Sequence, residues 1–201
     1  MARWEPDACG RLTKAAIELF QEAGYERTTV QEIAARAGLT ERTFFRYFAD
    51  KREVLFSGAK ELEKLIVDRI ADAPTHASPL DAIVGALEEA AAELEKQRDI
   101  HFVRARHALV TKHSELQERE LIKLAALAMA CTKALHARGV TEPSASLAAE
   151  AGMAVFKIGF ERWLEDRRPR DFPGHIRAAL EALKGITAQT QPRRARPKKN
   201  A

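Results

Sequence analysis

Cysteine is nearly missing from this 201-residue chain, which holds only Cys9 and Cys131. Neither sits in a C-x-x-C pair, so a disulfide framework and a thiolate metal cluster are both excluded. Two reduced thiols are expected. Tyrosine and tryptophan occur twice each, proline eight times and glycine ten times. So few turn residues and aromatics argue against a sheet-rich fold. No apolar run approaches the roughly 20 residues of a membrane span. The N-terminus reaches polar and charged residues before any apolar run, so no signal peptide is read. The expected location is the cytoplasm, with no membrane partner. A glycine-rich phosphate loop, a nucleophile elbow and a paired-carboxylate motif are also missing. His101, His107 and His113 are spaced six apart, which scatters them around a helix and excludes a metal site. No cofactor is expected, and an enzyme is the disfavoured class.

Hydrophobic residues make up 46% of the chain, enough for a sizeable core. Alanine, leucine, glutamate, lysine and arginine dominate, a composition that favours helix. The net charge of +4 misleads as an average. Residues 192–201 carry Arg193, Arg194, Arg196, Lys198 and Lys199 with no acid, which leaves residues 1–191 at −1. A nucleic-acid argument therefore rests on local charge, not on the isoelectric point.

Leu12, Ala15, Ala16, Leu19 and Phe20 form the apolar stripe of a first helix, stopped at Gly24. Thr29-Val30-Gln31-Glu32 has the form of a capping box. The helix it opens carries Val30, Ile33, Ala34 and Ala37 on one face, and Gly38 ends it. Thr40 caps a third helix, with Leu39 and Phe44 at hydrophobic-staple positions. Asp50 to Glu53 has the spacing of a further helix start, expected to run toward Ile70. Two short helices joined by a glycine turn make a helix-turn-helix, here 29–48. Beyond a break at Pro74 to Pro79, helices are expected over about 80–97, 100–113, 115–138, 144–166 and 174–188. The tail from 191 to 201 has little to bury and is expected to be disordered.

The third helix contains the segment Phe44-Phe45-Arg46-Tyr47-Phe48, four aromatics in five residues. A helix turns about 100° per residue. With Glu41 at zero, Phe44 and Phe48 fall near 300° and 340°, on one face. Arg42 and Arg46 fall near 100° and 140°, with Thr43 beside them near 200°. Phe45 and Tyr47 take the flanks. A short helix with a buried back and an Arg/Thr front suits the major groove of double-stranded DNA. Arginine pairs bidentately with guanine, and threonine methyls or aromatic edges touch the thymine methyl. Thr29, Thr40, Tyr47 and Lys51 lie where hydroxyls and an ammonium can hold phosphates.

Residues 24–56, GYERTTVQEIAARAGLTERTFFRYFADKREVLF, resemble the signature of the TetR (tetracycline repressor) family of bacterial transcription regulators. Gly24-Tyr25, Thr28-Thr29, Ile33-Ala34, Ala37-Gly38, Thr43, Tyr47-Phe48, Lys51 and Leu55 stand where that family has them. The ERTFFRYF form, with a tryptophan near 163, resembles an actinobacterial subgroup. The resemblance implies an all-α homodimer. It would have an N-terminal three-helix helix-turn-helix domain, here 6–66, and a C-terminal helical bundle for ligand binding and dimerisation, here 67–190. It also implies DNA contacts at Thr29, Thr40, Thr43, Phe45, Arg46, Tyr47 and Lys51; Arg42 joins them from the wheel alone. The family most often has tyrosine where this chain has Phe45. That leaves Phe45 open between a thymine methyl and the protein itself.

Phe156, Phe160 and Trp163, with small Ala148, Ala151, Gly152 and Gly159, allow close helix approach. Ile176, Leu180, Leu183 and Thr187 stripe the last helix. Such helices form either an intramolecular core or a four-helix dimer interface. In a regulator of this shape the middle helices would surround a cavity. Arg104, Arg106 and His107 would then be candidates for an anionic or acyl small-molecule effector. The expected function is a ligand-responsive repressor released from a palindromic operator. An activator and a helical protein–protein adaptor are the alternatives.

Overall fold

A computed structural model describes residues 7–167 and 170–188. The basic tail lies outside the described residues. Among these, nine α-helices follow one another with no strand: α1 (Ala8–Glu22), α2 (Val30–Arg36), α3 (Glu41–Tyr47), α4 (Ala59–Asp72), α5 (Pro79–Gln97), α6 (Ile100–Lys112), α7 (Ser114–Ala137), α8 (Ser144–Glu165) and α9 (Phe172–Ala188). The fold is all-α, as composition and periodicity predict.

One expectation fails between α3 and α4. Asp50 to Glu53 does not open a long helix. It leads into a single 3-10 turn, Glu53–Phe56, and α4 starts only at Ala59. Gly58 makes the break with φ 85°, a left-handed conformation that favours glycine. The 3-10 turn buries Val54, Leu55 and Phe56, so core packing sets its geometry rather than helix propensity.

Two cores result. The first gathers Leu12, Ala16, Phe20, Ile33, Phe44, Phe48 and Leu55 from α1–α3 and the 3-10 turn. It is closed from outside by Leu109 and Val110 of α6 and Leu116 of α7. The second gathers α4, α5 and α7–α9 around Ile70, Leu87, Leu135, Trp163 and Phe172. Helix α6 also gives Val103 to this second core, so it spans both.

Close approach within the second core depends on α8. A Cβ at Gly159 would lie 2.9 Å from the Ile176 Cα of α9. A Cβ at Gly152 would lie 2.5 Å from Ile83 Cγ2 of α5. The small-residue stripe therefore serves packing within the chain. At the far end of the bundle Arg138 holds the end of α4. Its Nη1 donates to the carbonyls of Ile70 (3.0 Å), Ala71 (3.1 Å) and Ala73 (2.6 Å), and its Nη2 to that of Pro74 (2.8 Å).

Candidate functional site

The helix-turn-helix is fixed first at its caps. Thr29 Oγ1 accepts from the Glu32 N–H at 3.2 Å, while Glu32 Oε2 accepts from the Thr29 N–H at 2.8 Å. Both halves of the capping box are thus present. The hydrogen bonds from the Thr29 backbone, then from its hydroxyl, hold the Glu32 carboxyl below its ordinary range. Thr40 caps α3 in the same way, accepting from the Thr43 N–H at 3.2 Å, and its hydroxyl lies 3.0 Å from that of Thr43. Between the helices the Leu39 N–H donates to the Ala34 carbonyl at 2.8 Å. Gly38 makes that turn at φ 67°.

The back of α3 is anchored as the helical wheel predicts. Phe44 is fully buried and Phe48 nearly so, with ring centroids 5.4 Å apart. Burying one such ring stabilises the fold by about 1.5–3 kcal/mol. The front is exposed at Arg42 and Arg46 and half-buried at Thr43. Phe45 is 55% exposed and Tyr47 42% exposed, although both are large and apolar. The Arg46 guanidinium lies 5.0 Å from the Tyr47 ring centroid, and its Nη2 approaches the Tyr47 hydroxyl at 3.4 Å. The outward face of α3 is therefore a compact group of two guanidiniums, a threonine and two aromatic edges.

Lys51 stands apart from that face. Its ammonium donates to the carbonyls of Tyr25 (2.9 Å), Glu26 (3.3 Å) and Thr28 (3.4 Å), and lies 4.3 Å from the Tyr25 ring centroid. An ammonium has three donors, and three carbonyls take them. Lys51 braces the turn before α2. Asp50 beside it is half-buried, which alone would raise its pKa. Hydrogen bonds from Arg52 (Nη2 at 2.6 Å) and from the Glu53 backbone outweigh burial and hold the carboxyl below its ordinary range.

The expected effector residues do not converge on one cavity. Arg104 donates to the carbonyls of Leu164 (3.0 Å) and Asp166 (2.6 Å) at the end of α8. Arg106 donates to the Leu55 carbonyl (2.8 Å) and to Glu120 (2.9 Å), and lies over the Phe56 ring. Both guanidiniums are bonded within the protein. His107 points the other way, against Phe160, with ring centroids 5.5 Å apart.

Sequence reasoning missed the polar seam between the two cores. Glu53 of the 3-10 turn pairs with Arg119 and, at 3.0 Å, with Lys123 of α7. Lys123 also lies 5.5 Å from the Phe56 ring centroid. The partners are some 66–70 residues apart in sequence, and no local pattern signals them.

With this geometry, comparison with known proteins is decisive at the N-terminus. The model for "Bacterial regulatory proteins, tetR family" matches residues 12–57. Residues 12–57 therefore carry the N-terminal domain of that family. The chain is 38% identical over 76 residues to the HTH-type transcriptional regulator TcmR of Streptomyces glaucescens, covering 38% of this chain and 34% of that one. It is 30% identical over 116 residues to the regulator HbdR of Aromatoleum sp. (strain CIB), covering 56% and 48%. The chain spans about a third of the length of the first curated relatives it matches. Among solved structures, a putative TetR-family regulator from Syntrophomonas wolfei superposes with a TM-score of 0.61 at 16% identity, over 92% and 97% of the two chains. NalD of Pseudomonas aeruginosa gives 0.59 at 20% identity, over 89% and 95%. At such identities the likeness is one of fold: an N-terminal helix-turn-helix and a C-terminal helical bundle. Among the described residues no helix is long and apolar enough to cross a membrane.

Proposed function

We propose that this tetR-family chain is a cytoplasmic, sequence-specific DNA-binding repressor, released from a palindromic operator by a small-molecule effector. The carrying observation is α3: Arg42, Thr43, Phe45, Arg46 and Tyr47 stand outward on a helix anchored behind by Phe44 and Phe48. Arg46 and Thr43 read base edges, and Phe45, 55% exposed with its ring edge-on to Phe44, meets a thymine methyl. Tyr47 lies against backbone phosphate, while Thr29 and Thr40 set the helix ends rather than lending their hydroxyls. Residues 6–66 form the reading head and 67–190 the sensing and dimerising body.

The dimer follows from surface left apolar on the body. Leu147, Ala151, Ala154 and Ile158 repeat along one side of α8, with Leu147 65% and Ile158 44% exposed. Exposed Ala178, Ala182 and Ile186 repeat along α9. A two-fold axis pairing these stripes builds a four-helix interface and gives two heads for two half-sites. Coupling runs through α6, which lends side chains to both cores and ties the head to the body through the Arg106 bond to Leu55. An effector that moves α6 shifts the population between two head positions, and only one fits the groove spacing. Footprinting on DNA upstream of the chain's own gene tests the reading. A protected segment with two-fold symmetry is expected; even protection of all sequences overturns it.

A further inference from the structure

We infer that the effector site is a latent pocket centred on Phe160, made for a flat aromatic molecule bearing a hydrogen-bond acceptor. The inference rests on the effector reading above and names the ligand class of that site.

Phe160 lies at the centre of an aromatic rosette. Its ring centroid is 5.5 Å from His107, 5.7 Å from Phe172, 6.0 Å from Trp163 and 6.1 Å from Phe156. Phe156 is nearly parallel to it, at 14°. Trp163 in turn stacks on Phe172 at 4.5 Å. This wall offers π faces and edges to a flat ring system.

The polar atoms within it are unsatisfied. Trp163 is 1% exposed, and its indole Nε1–H is buried with no hydrogen-bond partner. The Nδ1 of His107 is likewise buried and unpartnered. Buried polar groups in native proteins are nearly always paired, and indole nitrogen is a donor only. A ligand that pairs with Trp163 therefore brings an acceptor, while His107 Nδ1 accepts or donates a hydrogen bond according to its tautomer. The Phe160 ring neighbours both side chains, at 5.5 Å and 6.0 Å between centroids, and is itself only half-buried. A ligand ring replacing it restores the aromatic contacts and adds the hydrogen bond that phenylalanine lacks. No free cation faces the rosette from the two arginines nearest in sequence to His107, since Arg104 and Arg106 are bonded elsewhere. A carboxylate-headed aliphatic chain is thus a poor match.

Calorimetric titration of the full chain with 1-indanone, indane and decanoate tests this. The first two share a shape and differ by one carbonyl acceptor. Wild type should bind 1-indanone about tenfold tighter than indane, the size of one buried hydrogen bond. Trp163→Phe should reduce that preference below about twofold. Phe160→Ala should tighten binding of 1-indanone and keep the preference. Equal binding of 1-indanone and indane, or an unchanged preference in Trp163→Phe, overturns the pocket. Should Trp163→Phe not fold cooperatively, equal binding of the two ligands to Phe160→Ala does so instead. Affinity for the DNA segment found by footprinting is read in parallel. Decanoate binding without 1-indanone defeats the pocket and leaves the effector reading. Binding of 1-indanone by the acceptor-dependent mode without any change in DNA affinity supports the pocket and defeats the effector reading.

Discussion

In the proposed function specificity turns on Arg46. It is exposed, sits on the front of α3 and is steadied by the Tyr47 ring at 5.0 Å. Arg46→Ala should weaken operator binding by about 1–3 kcal/mol and relax selectivity at one base position, measured by anisotropy on matched and single-substituted duplexes. An equal loss on all sequences would reassign Arg46 to phosphate. The neighbouring residues show how far sequence reaches at this scale. The 100° rotation of a helix places Phe44 and Phe48 inward and Arg42 and Arg46 outward, and the structure agrees at all four. Phe45 is undecided from sequence because a flank position is buried or bare according to what else packs there. Its ring meets Phe44 edge-on at 5.6 Å and the residue is still 55% exposed, a balance that one-dimensional spacing does not give. Lys51, Arg104 and Arg106 were illegible for another reason. Each is a long cation with carbonyl partners, Arg106 pairing with Glu120 besides, and neither a carbonyl nor a carboxylate distant in sequence leaves a local mark.

At the scale of elements, two local devices have separate tests. The α2 capping box depends on an ionised Glu32. Its folded pKa is depressed, so its contribution is complete above the ordinary glutamate value and is lost as pH falls through the folded one. The stability gap between wild type and Glu32→Ala, followed by urea unfolding, should therefore narrow as pH falls below the ordinary glutamate value of about 4.3. A gap constant with pH would mean that the carboxylate charge plays no part. The second device is the contact of α8 with α9. Gly159→Ala sets a methyl 2.9 Å from the Ile176 Cα, where backbone must move. A loss of about 1–3 kcal/mol is expected from thermal unfolding, as for other overpacked cores. Both caps of the helix-turn-helix were readable because a cap is a local pattern of three or four residues. The 3-10 turn at Glu53–Phe56 was not, because long-range burial of Val54, Leu55 and Phe56 overrides its helix-like spacing.

At the scale of the whole molecule, the two cores of the described residues, head and body in the proposed function, share α6 and a polar seam. Glu53 joins Arg119 and Lys123 across that seam, so Glu53→Gln should loosen the head. The expected result is weaker DNA binding with the body's unfolding temperature and effector affinity little changed. Equal operator affinity in the variant would remove the seam from the coupling route. Dimerisation is tested on the opposite surface. Leu147→Glu with Ile158→Glu places charges on the apolar stripe of α8 without touching either core. Sedimentation should show monomers, and DNA affinity should fall far more than either head alone would explain. A dimer that survives both charges would move the interface elsewhere. Sequence periodicity gave the number and order of the body helices, yet the small-residue stripe of α8 proved to serve its own chain at Gly152 and Gly159. The exposed stripe lies on the other side of the same helix, and one-dimensional spacing does not say which side meets a partner.

The central claim is sequence-specific reading of DNA by the outward face of α3. Selection of binding sites from a random duplex pool by the full chain tests it most directly. One enriched palindrome is expected, its half-site centres separated by about 34–36 Å or a multiple of that helical repeat, and it should be lost when Arg42, Thr43 and Arg46 are all changed to alanine. A pool that stays unenriched, or a palindrome that the triple variant still selects, would contradict it.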